Sequence, residues 1–246
     1  MATLTVRHLS KAYGGVQALR DVSFSVAAGE RVALIGPNGA GKTTCFNVLN
    51  GQLAADSGEV SLDGASLVGL APHRICRLGV GRTFQVAALF GSMSARENVQ
   101  VALLAHLGEQ RSPFGAAVKR RVAEADRLLE RVGLGAQGER ASGLLAYGEL
   151  KRLELAVALA QAPRVLLMDE PTAGMAPAER AALMTLASDL ARSENIAVLF
   201  TEHDMDVVFG FASRILVLHL GELIAEGDPE AVRRDERVRA VYLGDA

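Results

Sequence analysis

The chain has 246 residues, half of them apolar, enough to close one large hydrophobic core or a core with a smaller subdomain. Its 26 basic and 28 acidic side chains nearly cancel, and the net charge of −2 excludes the dense positive surface that nonspecific nucleic-acid binding needs. Two cysteines, Cys45 and Cys76, build neither a disulfide framework nor a metal-ligand spacing, and no uninterrupted apolar run approaches the ~20 residues of a membrane-spanning helix. With no apolar leader before the first strand pattern, a reduced, cytoplasmic compartment is expected.

Leu4-Thr5-Val6-Arg7 and Val22-Ser23-Phe24-Ser25-Val26 alternate apolar and polar residues, as antiparallel strands with one wet face do. Tyr13, followed by Gly14-Gly15, is placed in an early loop where its ring can stack on adenine. Residues 31–35 read as a buried strand and residues 44–53 as a helix. Between them, Gly36-Pro37-Asn38-Gly39-Ala40-Gly41-Lys42-Thr43 fits G-x-x-x-x-G-K-[ST], the phosphate-binding loop of P-loop NTPases. Glycines at these positions let backbone N–H groups point inward around a β-phosphate. The Lys42 ammonium can neutralise β/γ charge and the Thr43 hydroxyl can ligate Mg²⁺. The helix from Thr44 offers its positive end to the anion.

A strand is expected over residues 59–62. Gln85 follows Thr83-Phe84 at the entry to the next segment, where a neutral amide could sense Mg²⁺ or the attacking water. From about residue 92 to 143 the pattern turns helical: Val118, Val122, Ala125, Leu129 and Val132 form one apolar stripe, with Lys119, Arg120 and Arg121 beside it as a solvated face. A helix over residues 148–160 precedes the buried strand Val165-Leu166-Leu167-Met168, which feeds into Asp169-Glu170. A carboxylate at a strand end beside a P-loop can order Mg²⁺, which is assigned to Asp169; the next one can reach the attacking water, and Glu170 is assigned as general base or at least as the group that orients that water. After a helix over 178–191 and a strand over 196–200, His203 falls at the same edge and could donate to a γ-phosphate oxygen. A short helix from Asp204 and a hairpin over 215–225 complete the pattern. Strand–helix alternation around a P-loop predicts an α/β core with its site at the carboxyl ends of parallel strands.

The ordered set of Tyr13, P-loop, Gln85, helical segment, Leu145-Ala146-Tyr147-Gly148-Glu149, Asp169-Glu170 and His203 resembles an ATP-binding-cassette (ABC) ATPase over essentially the whole chain. Within that superfamily it is similar to the ATPase subunits of branched-chain amino-acid importers, through Gly81-Arg82-Thr83-Phe84-Gln85, the L-A-Y-G run, Glu170-Pro171-Thr172-Ala173-Gly174-Met175, Glu202-His203-Asp204-Met205 and Glu226-Gly227-Asp228-Pro229. The resemblance implies a P-loop NTPase core with a mixed sheet and an antiparallel β-subdomain (residues 1–91 and 156–246) around an inserted helical signature subdomain (92–155). It implies ATP and Mg²⁺ as ligands, with Gln85 counted among the metal-site and catalytic residues. It also implies a head-to-tail dimer in which residues 145–149 complete the partner's ATP site.

The partners it implies are integral-membrane permease subunits, a second ABC ATPase or a second copy of this chain, and indirectly a periplasmic solute-binding protein. The place would be the cytoplasmic face of the inner membrane. Two departures stand out. The superfamily signature L-S-G-G-Q is replaced at its second and third positions by Ala146 and Tyr147, and the usual aspartate of the interfacial loop is replaced by Ala176. The alternatives are a soluble assembly ATPase without a permease, a lipopolysaccharide-export motor, and a GTPase-type switch, for which no Asn-Lys-x-Asp run exists.

Overall fold

The computed structural model describes residues 3–83, 89–108 and 121–243. In chain order, β1 (Thr3–Tyr13) and β2 (Val16–Ala27) lead to β3 (Arg31–Ile35) and α1 (Lys42–Leu49). Next come β4 (Ser57–Leu62), β5 (Ala65–Ser66), α2 (Pro72–Leu78) and β6 (Val80–Thr83). The helices α3 (Ala95–His106), α4 (Val122–Arg131) and α5 (Tyr147–Leu159) precede β7 (Val165–Asp169). The remainder is α6 (Pro177–Glu194), β8 (Ala197–Thr201), α7 (Met205–Phe211), β9 (Arg214–His219), β10 (Glu222–Gly227), α8 (Pro229–Arg234) and α9 (Glu236–Leu243).

Two sheets carry the fold. An antiparallel one has the order β2-β1-β4-β5; the other has the order β10-β9-β3-β8-β7-β6 and is parallel except for the β9–β10 hairpin. Period-two alternation sends the side chains of one strand into two cores. Val32 and Leu34 of β3 join Leu167, Leu199, Leu216, Phe46 and the antiparallel sheet; Ala33 and Ile35 join Leu166, Met168, Val198, Phe200 and the helices of the other face. Being wet on neither side explains the continuous apolar runs of β3, β7 and β8. Burying a side chain such as Phe46 or Phe200 contributes about 1.5–3 kcal/mol, and both are fully buried.

β1 and β2 run for 11 and 12 residues, well beyond the short runs expected from alternation. Their register shifts between Val6 and Leu9 and again before Lys11, with His8 and Asp21 at positive φ, so pairing continues where the sequence period breaks. Tyr13 therefore ends β1, paired with Val16, rather than lying in a free loop. α1 begins at Lys42 and stops at Leu49, short of residue 53, because Asn50 caps it and Gly51 turns out at φ 76°. α3 opens on a capping box: Glu97 N–H donates to Ser94 Oγ (3.1 Å) and Ser94 N–H to Glu97 Oε2 (2.7 Å). In α4 the stripe is buried at Ala125 and Leu129 and continues to Val132; Val118, Lys119 and Arg120 lie outside the described residues.

The strand order sets the site. β3, β8, β7 and β6 are successive neighbours, so the segments leaving their carboxyl ends converge on one edge. The P-loop follows β3, His203 follows β8, Asp169-Glu170 close β7, and Arg82 lies near the end of β6.

Candidate functional site

A cleft of about 190 Å³ is lined by Asn38, Gly39, Ala40, Gly41, Lys42, Thr43 and Thr44 together with Glu170, His203 and Ala18 of the hairpin. The loop wraps because two of its glycines have no room for a side chain. A Cβ on Gly36 would lie 2.1 Å from the Leu218 carbonyl oxygen, and one on Gly41, at φ 108°, 2.3 Å from that of Ala18. Lys42 is buried and turns onto the loop itself, donating to the carbonyls of Gly36 (2.6 Å) and Pro37 (3.1 Å). Burial lowers its pKa; the charges of Glu170 and Asp169 act in the opposite direction. A buried ammonium with only neutral carbonyls for hydrogen-bond partners is suited to an anion, and the cradle suits a phosphate chain.

Asp169 is buried with both oxygens engaged. Thr201 Oγ1 donates to Oδ1 (2.7 Å), and Arg82 Nη2 donates to Oδ2 (2.9 Å). Arg82 also donates through Nη1 to Asn47 Oδ1 (2.7 Å) and Gln52 Oε1 (2.9 Å), tying β6 to α1. A carboxylate so occupied fits a metal held through its water shell better than one bound directly. No cluster of three His, Cys, Asp or Glu side chains suited to a metal occurs among the described residues.

Glu170 stands in the left-handed region at φ 47°, an unfavourable conformation for a non-glycine residue and one that concentrates at functional sites. Its N–H is shared by the carbonyl and hydroxyl of Thr201, each at 3.1 Å. The next turn is anchored by buried Glu202, whose Oε1 accepts from Thr172 N–H (2.8 Å) and Oγ1 (2.7 Å). With its backbone fixed this way, Glu170 directs Oε1 to 2.8 Å from His203 Nε2. An ionised carboxylate only accepts, so Nε2 carries the hydrogen in this contact. His203 is half exposed and Glu170 less so, leaving the pair open to the cleft.

Leu145 to Glu149 lie outside this cleft, at the start of α5. Glu149 Oε2 accepts from Ala146 N–H (2.9 Å), one half of a capping box that Ala146 cannot reciprocate for want of a side-chain oxygen. Tyr147 is exposed and its hydroxyl donates to the Ala173 carbonyl (3.0 Å). Tyr13 is half exposed beside Lys11, whose ammonium lies 5.9 Å from its ring centroid, and it is not part of the cleft wall. Gln85 lies outside the described residues. Sequence reasoning missed Arg82, Thr201 and Glu202, the side chains that hold Asp169 and the Glu170 turn. Arg82 carried a usable signal: a cation one residue from the end of a short, largely buried strand.

The fold and this edge define a P-loop ATPase cassette, and the chain belongs to the ABC transporter family, whose activity is ATP hydrolysis: the family model described as "ABC transporter" matches residues 19–173. A second model, "Branched-chain amino acid ATP-binding cassette transporter", matches residues 222–246. The chain is 40% identical to the high-affinity branched-chain amino acid transport ATP-binding protein BraF of Pseudomonas aeruginosa, over 99% of this chain and 98% of that one. Among solved structures, the ADP conformation of MJ1267, an ATP-binding cassette of an ABC transporter, matches with a TM-score of 0.88 at 30% identity and covers 100% of both chains. The dimeric post-hydrolysis state of the cassette MJ0796 bound to ADP and Pi matches with a TM-score of 0.78 at 26% identity, covering 92% of this chain and 98% of that one.

Proposed function

We propose that the chain is the ATP-hydrolysing subunit of an importer for branched-chain or other amino acids, peripheral to the cytoplasmic face of the inner membrane. The observation that carries the catalytic part is the Glu170–His203 contact over the P-loop cleft. The amino-acid class is supported by the C-terminal match over residues 222–246 and by the likeness to BraF. No helix among the described residues is long and apolar enough to cross a membrane. In this reading permease chains make the contact with the bilayer. A periplasmic solute-binding protein acts one step further away.

In this reading the phosphate chain of ATP enters the loop from Gly36 to Thr44 and Lys42 leaves the Gly36 and Pro37 carbonyls for the β/γ oxygens. Tyr13 stacks on the adenine. Thr43 through its hydroxyl, and Asp169 and Gln85 around it, would hold Mg²⁺, which when bound would supply positive charge to offset that of the phosphate chain. Glu170 orients and deprotonates the attacking water, and the His203 Nε2–H that holds Glu170 is the one offered to the γ-phosphate once ATP is bound. Residues 145–149 reach the ATP of the other subunit in a head-to-tail dimer, this chain's partner being a second copy or a second ABC ATPase. Ala146 offers no hydroxyl there, so backbone N–H groups at the start of α5 take the γ-phosphate. Residues 92–155 act as the helical signature subdomain, although α5 itself runs through residue 155. Closure around ATP moves that subdomain, and hydrolysis removes the bridging charge and reopens the dimer.

The test uses a tagged Glu170→Gln chain, which should hold the ATP-closed state. Membranes extracted in mild detergent with ATP and Mg²⁺ should yield two multi-span proteins and a second P-loop ATPase by mass spectrometry. A chain recovered alone and soluble, from cells that express its neighbours, would favour the assembly-ATPase alternative.

A further inference from the structure

We infer that Tyr147 is a positioning residue that ties the signature loop to the loop after Glu170, so that what residues 145–149 touch is transmitted to the same chain's catalytic carboxylate. The inference rests on the reading above that residues 145–149 act across a dimer interface.

Tyr147 occupies a place where the superfamily pattern has glycine, which has no group to reach a neighbouring loop. Here the tyrosine hydroxyl donates to the Ala173 carbonyl (3.0 Å). The ring edge lies over Gly174, where a Cβ would meet Tyr147 Cε1 at 3.5 Å. One turn along α5, buried Lys151 places its ammonium 5.6 Å from the ring centroid and pairs with Glu154 at 3.2 Å. The ring is thus fixed on its own helix and its hydroxyl is aimed at one acceptor.

That acceptor belongs to a short loop with few joints. Ala173 N–H donates to the Glu170 carbonyl (3.2 Å), so the residue that Tyr147 grips by its carbonyl is hydrogen-bonded through its N–H to the catalytic residue's own backbone. At the far end of the loop, Arg180 Nε donates to the Met175 carbonyl (2.7 Å) while its Nη1 pairs with Asp204, the residue after His203. Both ends of the Glu170–His203 pair therefore connect to this loop, and the signature loop joins it through Tyr147. Ala176, in the place of the usual aspartate, has no polar side chain with which to make such a link itself. A displacement of the start of α5 on engaging a nucleotide pulls on the Ala173 carbonyl, and so on the Glu170 turn.

The experiment compares the wild type with Tyr147→Phe, which removes the hydroxyl alone, and Tyr147→Gly, which restores the superfamily residue. Each is studied in the dimer it forms, with itself or with a co-expressed second ATPase. MgATP turnover is measured against ATP concentration, and backbone amide exchange is followed over residues 171–176 and 36–43. In Tyr147→Phe, kcat falls about fivefold while KM for ATP stays within about twofold, the scale of one lost neutral hydrogen bond acting beyond ground-state binding. Exchange over 171–176 quickens and that over 36–43 does not change; Tyr147→Gly shows the same pattern, more strongly. Unchanged kcat and exchange in Tyr147→Phe overturn the role of Tyr147. So does a raised KM at constant kcat, which marks a direct nucleotide contact instead. A Glu170→Gln chain that stays monomeric with MgATP, alone and with the second ATPase, overturns the dimer reading itself, and the inference with it.

Discussion

His203 Nε2 lies 2.8 Å from Glu170 Oε1, joining the ends of β8 and β7 across the mouth of the phosphate cleft. This one contact fixes the direction of the carboxylate. His203→Ala is expected to retain ATP binding and to lower turnover by about 10²–10⁴-fold, the usual contribution of a positioned acid–base group. A steady-state phosphate-release assay beside an equilibrium ATP titration checks it.

Lys42 is a site where function and stability pull apart. Its folded pKa is lowered by burial, against the raising effect of Glu170 and Asp169. A cation so depressed is less favourable in the fold than in the unfolded chain. Its cost is present below the folded pKa and fades as pH rises from there toward the ordinary value of 10.5. Lys42→Met should therefore melt higher than the wild type at neutral pH without nucleotide. The same variant should bind ATP about 10- to 100-fold more weakly, having lost a charged hydrogen bond to phosphate. Thermal melts with and without MgATP measure both: the wild type should gain in melting temperature with the ligand and the variant little.

The Arg82–Asp169 pair is buried on both sides. Arg82→Met leaves Asp169 with the Thr201 hydroxyl but without its guanidinium, and should destabilise the fold by about 3–5 kcal/mol. Adding Asp169→Asn should recover part of that loss, because the uncompensated charge is gone. Urea unfolding of the two single variants and the double variant gives the coupling energy. Additive losses would mean that Arg82 matters through packing on Phe46, whose ring centroid lies 5.8 Å from its guanidinium carbon.

Glu30, just before β3, reports on acid stability. Burial alone would raise its pKa, but the Arg214 hydrogen bond (2.6 Å), the Ala27 N–H and the Arg214 charge outweigh burial and hold it below 4.5. A depressed carboxylate contributes stability above its unfolded pKa and loses it as pH falls through the folded one. Glu30→Gln should cost about 1–3 kcal/mol at pH 7, and the gap from the wild type should close as pH drops below 4.5. Urea titrations across that range follow it.

Much of this was legible in the sequence because its signals are local. The P-loop, strand β3 and the Asp169-Glu170 step are each encoded within a few consecutive residues, and the buried runs 165–168 and 196–200 allow little but a central parallel strand. The length of β1 and β2 was not legible, since bulges at His8 and Asp21 break the alternation on which strand reading depends. The supports of the site were not legible either. Thr201 meets Asp169, and Glu202 meets Thr172, from about 30 residues away, and only strand order brings them together. Tyr147 was visible as a departure from a pattern; its acceptor, Ala173, is a backbone carbonyl that no sequence signal marks.

The central claim is that Glu170 governs hydrolysis but not binding. The most direct measurement mixes limiting γ-labelled ATP with excess protein and Mg²⁺ and follows bound nucleotide and released phosphate in one rapid-quench series, for the wild type and Glu170→Gln. The account predicts equal binding by both and phosphate release from the wild type alone. Equal phosphate release from the two would contradict it.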